Sequence, residues 1–448
     1  IRVHIEFNSA SKTTSKLSRN NYDFLINPEI AKLWKIDNNI NSKDNNEKLL
    51  SEKNNKISEL SNGKWLKIQI NETGIYKITA SQLASYDFNI NSNDVKTIKM
   101  FSKGGTQLDE TVSSALLNHL DEQEIIVNTN ANGNLESIIF MGIGTKGFKR
   151  DKSGIKSYFN EYTNPSYYLL TFGGREGLRA KGIENSTETP INTPTHYTNR
   201  IFFDEDINNP YEMGAGRQWF GRSFLSSPFI NQLHDLDRNS NILYRIAVAH
   251  RSYAIYKVTN GDAWFTFFEN NDSIGRIDLE GISGYTNSFW RENYFTKSAT
   301  SIAQDNRSIL KLQYNNPKNP NGAIPYIDFF EIHYKRPFLA INNEIEFIAD
   351  TTMNGLTEFK INNFSGEIYG FEISDTKNPK LLVNRSKTGG MFIFNKDLKT
   401  TDYNRYYISS NLNKQLKIEK TTVKGIRENF ANTDVIVVTH KDLLASAE

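Results

Sequence analysis

Short stretches in which apolar and polar side chains alternate recur along most of this chain, and they limit its fold more than any other feature. The first is Trp65–Ile70, in which Leu66 and Ile68 alternate with Lys67 and Gln69. Alternation with a period of two residues places the two sets of side chains on opposite faces of a β-strand. Comparable segments, separated by Gly, Asn and Asp, continue to about residue 420. This spacing predicts a mainly β protein built from antiparallel sandwich modules.

The turn-forming residues Asn71–Gly74 are followed by a return strand at Ile75–Thr79, which predicts a hairpin with the first strand. Ser81–Ala84 predicts one short helix. The other predicted strands are Val95–Phe101, Glu124–Asn128, Ser137–Met141, Tyr167–Phe172, Ile242–His250, Ala263–Phe268, Ser308–Tyr314, Tyr326–Tyr334, Gly366–Ile373, Met391–Phe394 and Arg405–Ser409.

Changes in composition and periodicity divide the chain into five parts. Residues 1–62 are predicted to form an N-terminal strand and a linker rich in Asn and Lys. Residues 63–150 are predicted to be a small β-rich domain with one or two short helices, and residues 151–343 a jelly-roll-like sandwich. Residues 344–430 are predicted to form a small sandwich, and residues 431–448 to begin a different kind of domain.

The last segment differs because its apolar residues are continuous. Val435–Val438 is typical of a strand that is covered on both faces of a parallel sheet. Asp442 is placed to cap a helix that begins at Leu443. We therefore expect residues 431–448 to be the first strand and helix of an α/β domain that continues beyond Glu448.

Composition excludes several kinds of chemistry. The chain has 448 residues and no cysteine, so it can form no disulfide, cysteine-ligated zinc site or cysteine nucleophile. Its 53 Lys and Arg residues nearly balance 51 Asp and Glu residues, which argues against a nucleic-acid partner. No apolar run approaches the roughly 20 residues that a membrane-spanning helix needs.

Two clusters of oxygen donors are weak calcium candidates. One contains Asp204 and Asp206, and the other contains Asp235 and Asp237. Calcium binds such oxygens, but Asp is also a common turn residue, so both interpretations stay open.

Three other features have a structural and a functional interpretation. Gly142–Gly147 is superficially similar to a phosphate-binding loop but lacks the Gly-Lys-Ser/Thr ending, so it predicts a turn. The seven His residues show no metal-binding spacing, and His440 is either structural or close to a crevice at a strand end. The tryptophans Trp219, Trp264 and Trp290 either bind sugars or belong to sandwich cores. No residue is assigned a catalytic or cofactor-binding role.

Four stretches together resemble the sortase family of the type IX secretion system. They are Gly63–Thr79, Met213–Gly221, Ile324–Arg336 and Phe371–Pro379. The sequence departs from the family pattern at Ala215 in the second stretch, at Arg222 directly after it, and at Phe371 in the fourth. The terminal Asp434–Thr439 resembles the opening strand of a gingipain-type cysteine peptidase domain.

The resemblance implies the non-catalytic N-terminal region of an exported enzyme that is peripherally attached to the outer membrane at the cell surface. Such an enzyme removes the C-terminal signal of type IX cargo and joins the cargo to anionic lipopolysaccharide. Its implied partners are the barrel protein PorV, the cargo signal domains and the lipopolysaccharide. For the 448 residues themselves we predict no cofactor. Its cysteine and histidine would lie beyond Glu448, so we expect these 448 residues to be inactive as a peptidase.

A second interpretation is a surface protein whose tandem sandwiches bind carbohydrate or mediate adhesion. It explains the aromatic residues and the absence of cysteine equally well. Val435–Val438 argues against it, because such a strand belongs to an α/β unit. A third interpretation is an inhibitory prodomain, for which residues 1–62 would be the blocking segment.

Overall fold

The computed structural model describes residues 63–107, 120–151, 154–208, 219–223, 227–252, 261–281, 289–422 and 441–443. Leu60–Gly425 forms one compact unit. In the other unit, the described part is a 3₁₀ helix at Lys441–Leu443. The predictions for residues 1–62 and for Val435–Val438 lie outside the described residues. The predicted domain boundaries stay predictions.

The described residues contain 24 strands and one α-helix, α1 (Ala80–Ala84), which confirms the mainly β class. The strands, numbered along the chain, are β1 (Trp65–Ile70), β2 (Gly74–Thr79), β3 (Lys99–Ser102), β4 (Asp121–Gln123), β5 (Ile126–Thr129), β6 (Leu135–Gly142), β7 (Lys146–Asp151), β8 (Gly154–Phe159), β9 (Ser166–Thr171), β10 (His196–Asp204), β11 (Phe229–Gln232), β12 (Asn241–Arg251), β13 (Ala263–Glu269), β14 (Asp272–Leu279), β15 (Phe289–Ser298), β16 (Arg307–Asn315), β17 (Ile324–Pro337), β18 (Glu344–Ile348), β19 (Gly355–Asn362), β20 (Tyr369–Glu372), β21 (Lys380–Leu382), β22 (Met391–Leu398), β23 (Arg405–Ser409) and β24 (Lys417–Thr421). None of the described helices is long and apolar enough to cross a bilayer.

The first module packs a five-stranded sheet, β24-β1-β9-β3-β4, against a three-stranded sheet, β2-β6-β5. The alternating apolar residues of β1 enter its core, where Ile68 and Ile70 are fully buried beside Ile78 of β2. The predicted hairpin between β1 and β2 is wrong, because β1 pairs with β9 and β24 while β2 pairs with β6. Both strands are apolar on the side that faces the core, so the turn folds the chain from one sheet to the other.

The predicted strand Val95–Phe101 is also shorter than expected. Val95–Thr97 forms a 3₁₀ helix, and β3 begins only at Lys99. The predicted short helix is present as α1. It begins with a capping box in which Thr79 and Gln82 each satisfy the main-chain N–H of the other.

Strands β10–β17 form the second module, a sandwich of two four-stranded sheets. Their orders are β10-β17-β12-β15 and β11-β16-β13-β14. Numbered from one within the module, these orders are 1-8-3-6 and 2-7-4-5, the arrangement of a jelly roll. Its core is rich in aromatic residues and includes the fully buried Phe265, Phe267 and Phe330.

Strands β18–β23 form the third module, in which β18-β23-β20-β21 packs on the two-stranded sheet β19-β22. A separate apolar cluster joins this module to the first. Ile75 and Met141 of the first module pack there with Phe371 and Ile373 of the third. The sheet β2-β6-β5 is therefore apolar on both faces.

Candidate functional site

The hairpin formed by β7 and β8 connects the jelly roll to the third module. These two strands pair only with each other among the described residues. The main-chain N–H and hydroxyl of Ser157 on β8 contact the jelly roll, and the guanidinium of Arg150 on β7 donates to the carbonyls of Thr401 and Asp402. Sequence analysis did not predict this hairpin.

Strand β17 provides the surface on which the hairpin lies. Its residues alternate, so that Phe330 and Ile332 enter the jelly-roll core while Glu331 and His333 face the other way. Neither outward side chain is exposed, since Glu331 has no solvent-accessible surface and His333 retains 8%. The ring of Phe148 from β7 lies edge-on to the imidazole of His333, with centroids 6.3 Å apart.

We call Ser157, Arg245, Glu331 and His333 the hairpin latch. Oε1 of Glu331 accepts hydrogen bonds from Ser157 N at 2.9 Å, from Ser157 Oγ at 2.6 Å and from Arg245 Nη1 at 2.6 Å. Oε2 of Glu331 lies 2.7 Å from His333 Nε2. Because a carboxylate only accepts, Nε2 of His333 carries the proton. The second guanidinium nitrogen of Arg245 pairs with Glu292 at 2.7 Å.

These contacts shift the pKa values of both titratable partners. Burial alone would raise the pKa of Glu331, but hydrogen bonds from His333 and Ser157 outweigh it and lower that pKa to about 2. Burial lowers the pKa of His333, and the hydrogen bond to Glu331 opposes the change only in part. At neutral pH, Glu331 is ionised and His333 is neutral.

A second polar group, which we call the arginine cluster, lies where the hairpin meets the third module. It consists of Arg200 on β10, Tyr158 on β8, and Arg405 with its partner Glu346. Nε and Nη2 of Arg405 each lie 2.7 Å from Glu346 Oε1. Arg405 is 1% exposed, whereas Arg200 is half-buried.

Close approach of β7 to this cluster requires a glycine. A Cβ atom at Gly147 would lie 2.9 Å from Nη2 of Arg405 and 3.0 Å from the Tyr158 hydroxyl. Nearby, the Tyr403 hydroxyl donates to the carbonyl of Phe148, which ties the hairpin to the third module a second time.

An open cleft of about 940 Å³ runs along the junction, and it is lined by residues of all three modules and of the hairpin. Three of the lining cations have carboxylate partners. Arg405 pairs with Glu346, Arg336 pairs with Asp235 at 2.7 Å, and Lys414 pairs with Glu72 at 2.7 Å. Clefts between modules are common places for ligands to bind.

The latch itself is unsuited to catalysis. A general base needs a free lone pair close to its substrate and a pKa near the working pH. Glu331 is fully hydrogen-bonded, closed to solvent and strongly acidic. Because its hydrogen bonds require a defined geometry, the latch is suited to holding the hairpin on the jelly roll in one orientation.

Asp204, one of the predicted calcium residues, lies at the other end of the same sheet face. Burial, and then the charges of Asp206 and Asp328, raise the pKa of Asp204 to about 7. Oδ1 of Asp204 is buried without a hydrogen-bond partner in the described structure. Asp328 accepts a hydrogen bond from Trp290 Nε1 at 2.5 Å, and burial raises its pKa to about 6. Within the described ranges, no three His, Asp or Glu side chains are close enough together to hold a metal.

The other two calcium candidates have structural partners. Asp235 accepts from Nη2 of Arg336 at 2.7 Å, and Asp237 accepts from the main-chain N–H of Asn239 at 3.0 Å. The latter contact is typical of an Asx-turn. Calcium binding by any of the four aspartates stays a prediction.

The glycine-rich stretch Gly142–Gly147 joins β6 to β7 and lines the cleft. The main-chain N–H of Ile143 already donates to the Tyr168 hydroxyl at 2.9 Å, and that of Gly144 donates to Thr73 at 3.0 Å. These amides are not free to hold a phosphate, which agrees with the turn interpretation.

The tryptophans occupy different environments. Trp264 stacks beneath the guanidinium of Arg276 at 4.1 Å, Trp290 is 37% exposed, and Trp219 is 43% exposed. Of the histidines, His250 is fully buried and its Nδ1 lies 2.7 Å from the Tyr314 hydroxyl. His440 lies outside the described residues.

Three of the stretches that resemble the type IX sortase family contribute to the junction between modules. Gly63–Thr79 and Phe371–Pro379 meet in the apolar cluster between the first and third modules, and Ile324–Arg336 carries Glu331 and His333. Met213–Gly221 is described only from Trp219, where Phe220 stacks on Tyr326 with centroids 5.5 Å apart.

No protein-family model matches the chain, and no curated protein matches it. The fold belongs to the class of mainly β proteins that are built from tandem sandwich modules. A comparison with solved structures finds the same arrangement in another protein. Dimeric latent PorU from Porphyromonas gingivalis aligns with 82% of this chain at a TM-score of 0.68 and 15% sequence identity. The fold that the resemblance implied is thereby confirmed. The chain spans about a third of the length of PorU, since it covers 34% of that structure.

A second structure, the VP2 subviral particle of infectious bursal disease virus, aligns at a TM-score of 0.17 and 8% identity. The alignment covers 81% of this chain and 82% of the VP2 chain. So low a score does not indicate a common fold.

Proposed function

We propose that this chain is the non-catalytic N-terminal scaffold of a type IX secretion sortase. The observation that carries the proposal is the fold shared with PorU over 82% of the chain. Two features of the chain support it. The chain has no cysteine, and the fully buried Glu331 is hydrogen-bonded to Ser157 of the hairpin rather than left free for chemistry.

In this proposal, the scaffold orients a gingipain-type peptidase domain that follows residue 448. That domain removes the C-terminal signal of cargo and joins the cargo to anionic lipopolysaccharide. The protein is exported, lies at the cell surface and is attached peripherally to the outer membrane through PorV. The name of the PorU structure describes a latent dimer, so a latent form is part of the proposal for this protein too.

Deletion of the gene in the bacterium that encodes it tests the proposal. We expect cargo proteins to keep their C-terminal signals, as measured by mass spectrometry of their C-terminal peptides, and complementation with the complete gene to restore cleavage. Purified residues 1–448 should not cleave a type IX signal peptide. Normal cargo processing in the deletion strain would refute the proposal.

One observation favours a carbohydrate-binding surface protein as the alternative. Trp290 and Tyr294 are 37% and 45% exposed and lie four residues apart on the edge strand β15, so they share one face of it. Exposed aromatic rings on a jelly roll can stack on sugars. Binding on a glycan array that is lost in Trp290→Ala, together with normal cargo processing in the deletion strain, would favour this alternative.

A further inference from the structure

Arg200 differs from the buried Arg245, Arg336 and Arg405 in that the carboxylates that act on its charge, those of Glu331 and Asp350, make no direct contact with it. Its one hydrogen bond runs from Nη1 to the carbonyl of Thr198 at 3.1 Å, and its Nε is buried without a partner. No carboxylate of the described residues forms an ion pair with it. Burial accordingly lowers the pKa of its guanidinium.

Two other arginines that lack a carboxylate partner show what full compensation requires. Arg179 donates to four main-chain carbonyls. Arg238 donates to two carbonyls and to the side chain of Asn306. A half-buried guanidinium with a single neutral acceptor is therefore short of acceptors, because buried donors are rarely left unpaired.

Other unpaired donors lie close to Arg200. Nη1 of Arg405 is buried without a hydrogen-bond partner. The hydroxyl of Tyr158 is buried beside Arg405, whose charge and hydrogen bond act to lower its pKa, and the hydroxyl proton has no acceptor. The positive charges of Arg200 and Arg405 both act to lower the pKa of Tyr403. Both also line the 940 Å³ cleft. The arginine cluster thus contains two cations, of which Arg405 alone has a carboxylate in direct contact, that of Glu346.

We propose that the cleft binds an oxyanion, the phosphate or carboxylate group of a small ligand, between Arg200 and Arg405. Arg200 makes the first contact, because it is half-buried and lines the open cleft. Guanidinium groups bind both kinds of oxyanion through paired, charge-assisted hydrogen bonds. Side chains supply the donors, since the amides of Ile143 and Gly144 on the glycine-rich stretch are already occupied. The proposal does not depend on the sortase function.

Calorimetric titration of the complete 448-residue chain tests the site, with inorganic phosphate in one arm and succinate in the other, at constant ionic strength set by chloride. We expect saturable binding in at least one arm, and the arm that binds identifies the type of oxyanion. Arg200→Gln should weaken this binding at least about tenfold, and Tyr158→Phe by a few-fold. The control Arg307→Gln alters an exposed arginine that pairs with Asp305 and should bind as the wild type does.

Thermal unfolding separates a binding charge from a structural one. If Arg200 serves a ligand, Arg200→Gln should keep or raise the melting temperature of the ligand-free chain and should lose the increase that the bound anion causes in the wild type. The proposal is overturned if neither anion binds saturably. It is also overturned if Arg200→Gln and the wild type gain the same increase in melting temperature.

Discussion

Strand β17 buries both of its faces, but in different ways. Phe330 and Ile332 pack in the aromatic core of the jelly roll, where any residue of suitable size and hydrophobicity fits. On the opposite face, Glu331 and His333 are buried beneath a hairpin from elsewhere in the chain. A hydrophobic contact is non-directional, whereas the hydrogen bonds to Glu331 form only in one geometry. The inner face therefore stabilises the jelly roll, and the outer face determines how the hairpin sits on it.

The largest expected effect is that of replacing Glu331. Glu331→Leu leaves Ser157 N–H without an acceptor and removes one of the two carboxylate partners of Arg245, so we expect a loss of about 3–5 kcal/mol in the free energy of unfolding. Phe330→Ala, one residue away on the inner face, should cost a similar amount through its cavity. Urea denaturation measures both losses.

The pH dependence distinguishes the two faces. The pKa of Glu331 is lowered from its usual 4.5 to about 2, so its contribution is complete above pH 4.5 and is lost as the pH falls toward 2. Glu331→Leu should lose that acid sensitivity, while Phe330→Ala should keep it. Equal pH profiles for the two variants would show that the latch contributes little.

A double replacement sharpens the comparison. Arg245→Leu combined with Glu331→Leu removes both charges of the buried pair, and buried pairs are often replaced by apolar residues at little cost. We expect the double variant to be at least about 2 kcal/mol more stable than the sum of the two single losses predicts. Strictly additive losses, measured by the same denaturation, would mean that the two side chains do not interact.

The acidic end of the same sheet face should behave in the opposite way. The pKa of Asp204 is raised from 3.8 to about 7, so the folded state binds an extra proton between these values and loses stability as the pH rises through this range. Asp204→Asn should therefore stabilise the protein by about 2 kcal/mol at pH 8 and not at pH 4. Asp237→Asn, which keeps the turn, is the control. If Asp204→Asn and the wild type had the same melting temperature at pH 8, the charged carboxylate of Asp204 would cost the folded protein no stability.

The smallest expected effect concerns the approach of β7 to the arginine cluster. Gly147→Ala would bring a methyl group within 2.9 Å of Arg405 Nη2, and we expect a loss of about 1 kcal/mol as the cluster shifts. Gly389→Ala is the matched control, because a Cβ atom there meets no atom within 4 Å. If Gly147→Ala were as stable as Gly389→Ala, the packing between β7 and Arg405 would have room for the extra methyl group.

Periodicity along the chain predicted the mainly β fold, and residues such as Ile68 and Phe330 occupy the core as their alternation indicated. It could not predict the latch, because Glu331 and His333 alternate with core residues as solvent-facing residues do. Their burial depends on β7 and β8, in which apolar side chains do not alternate with polar ones over a whole strand. The pairing of β2 with β6 is likewise non-local. The charge of Asp328, which acts on Asp204, could not be predicted either, because Asp328 is distant from it in sequence.

The most direct test of the account is the distance between the jelly roll and the third module. Because the chain has no cysteine, spin labels can be attached at Gln313→Cys on β16 and Lys360→Cys on β19 without background. Pulsed electron paramagnetic resonance should give one narrow distance distribution in the otherwise wild-type chain and a broad one when Glu331→Leu is added. A broad distribution without Glu331→Leu, or an equally narrow one with it, would contradict the claim that the latch holds the modules in one orientation.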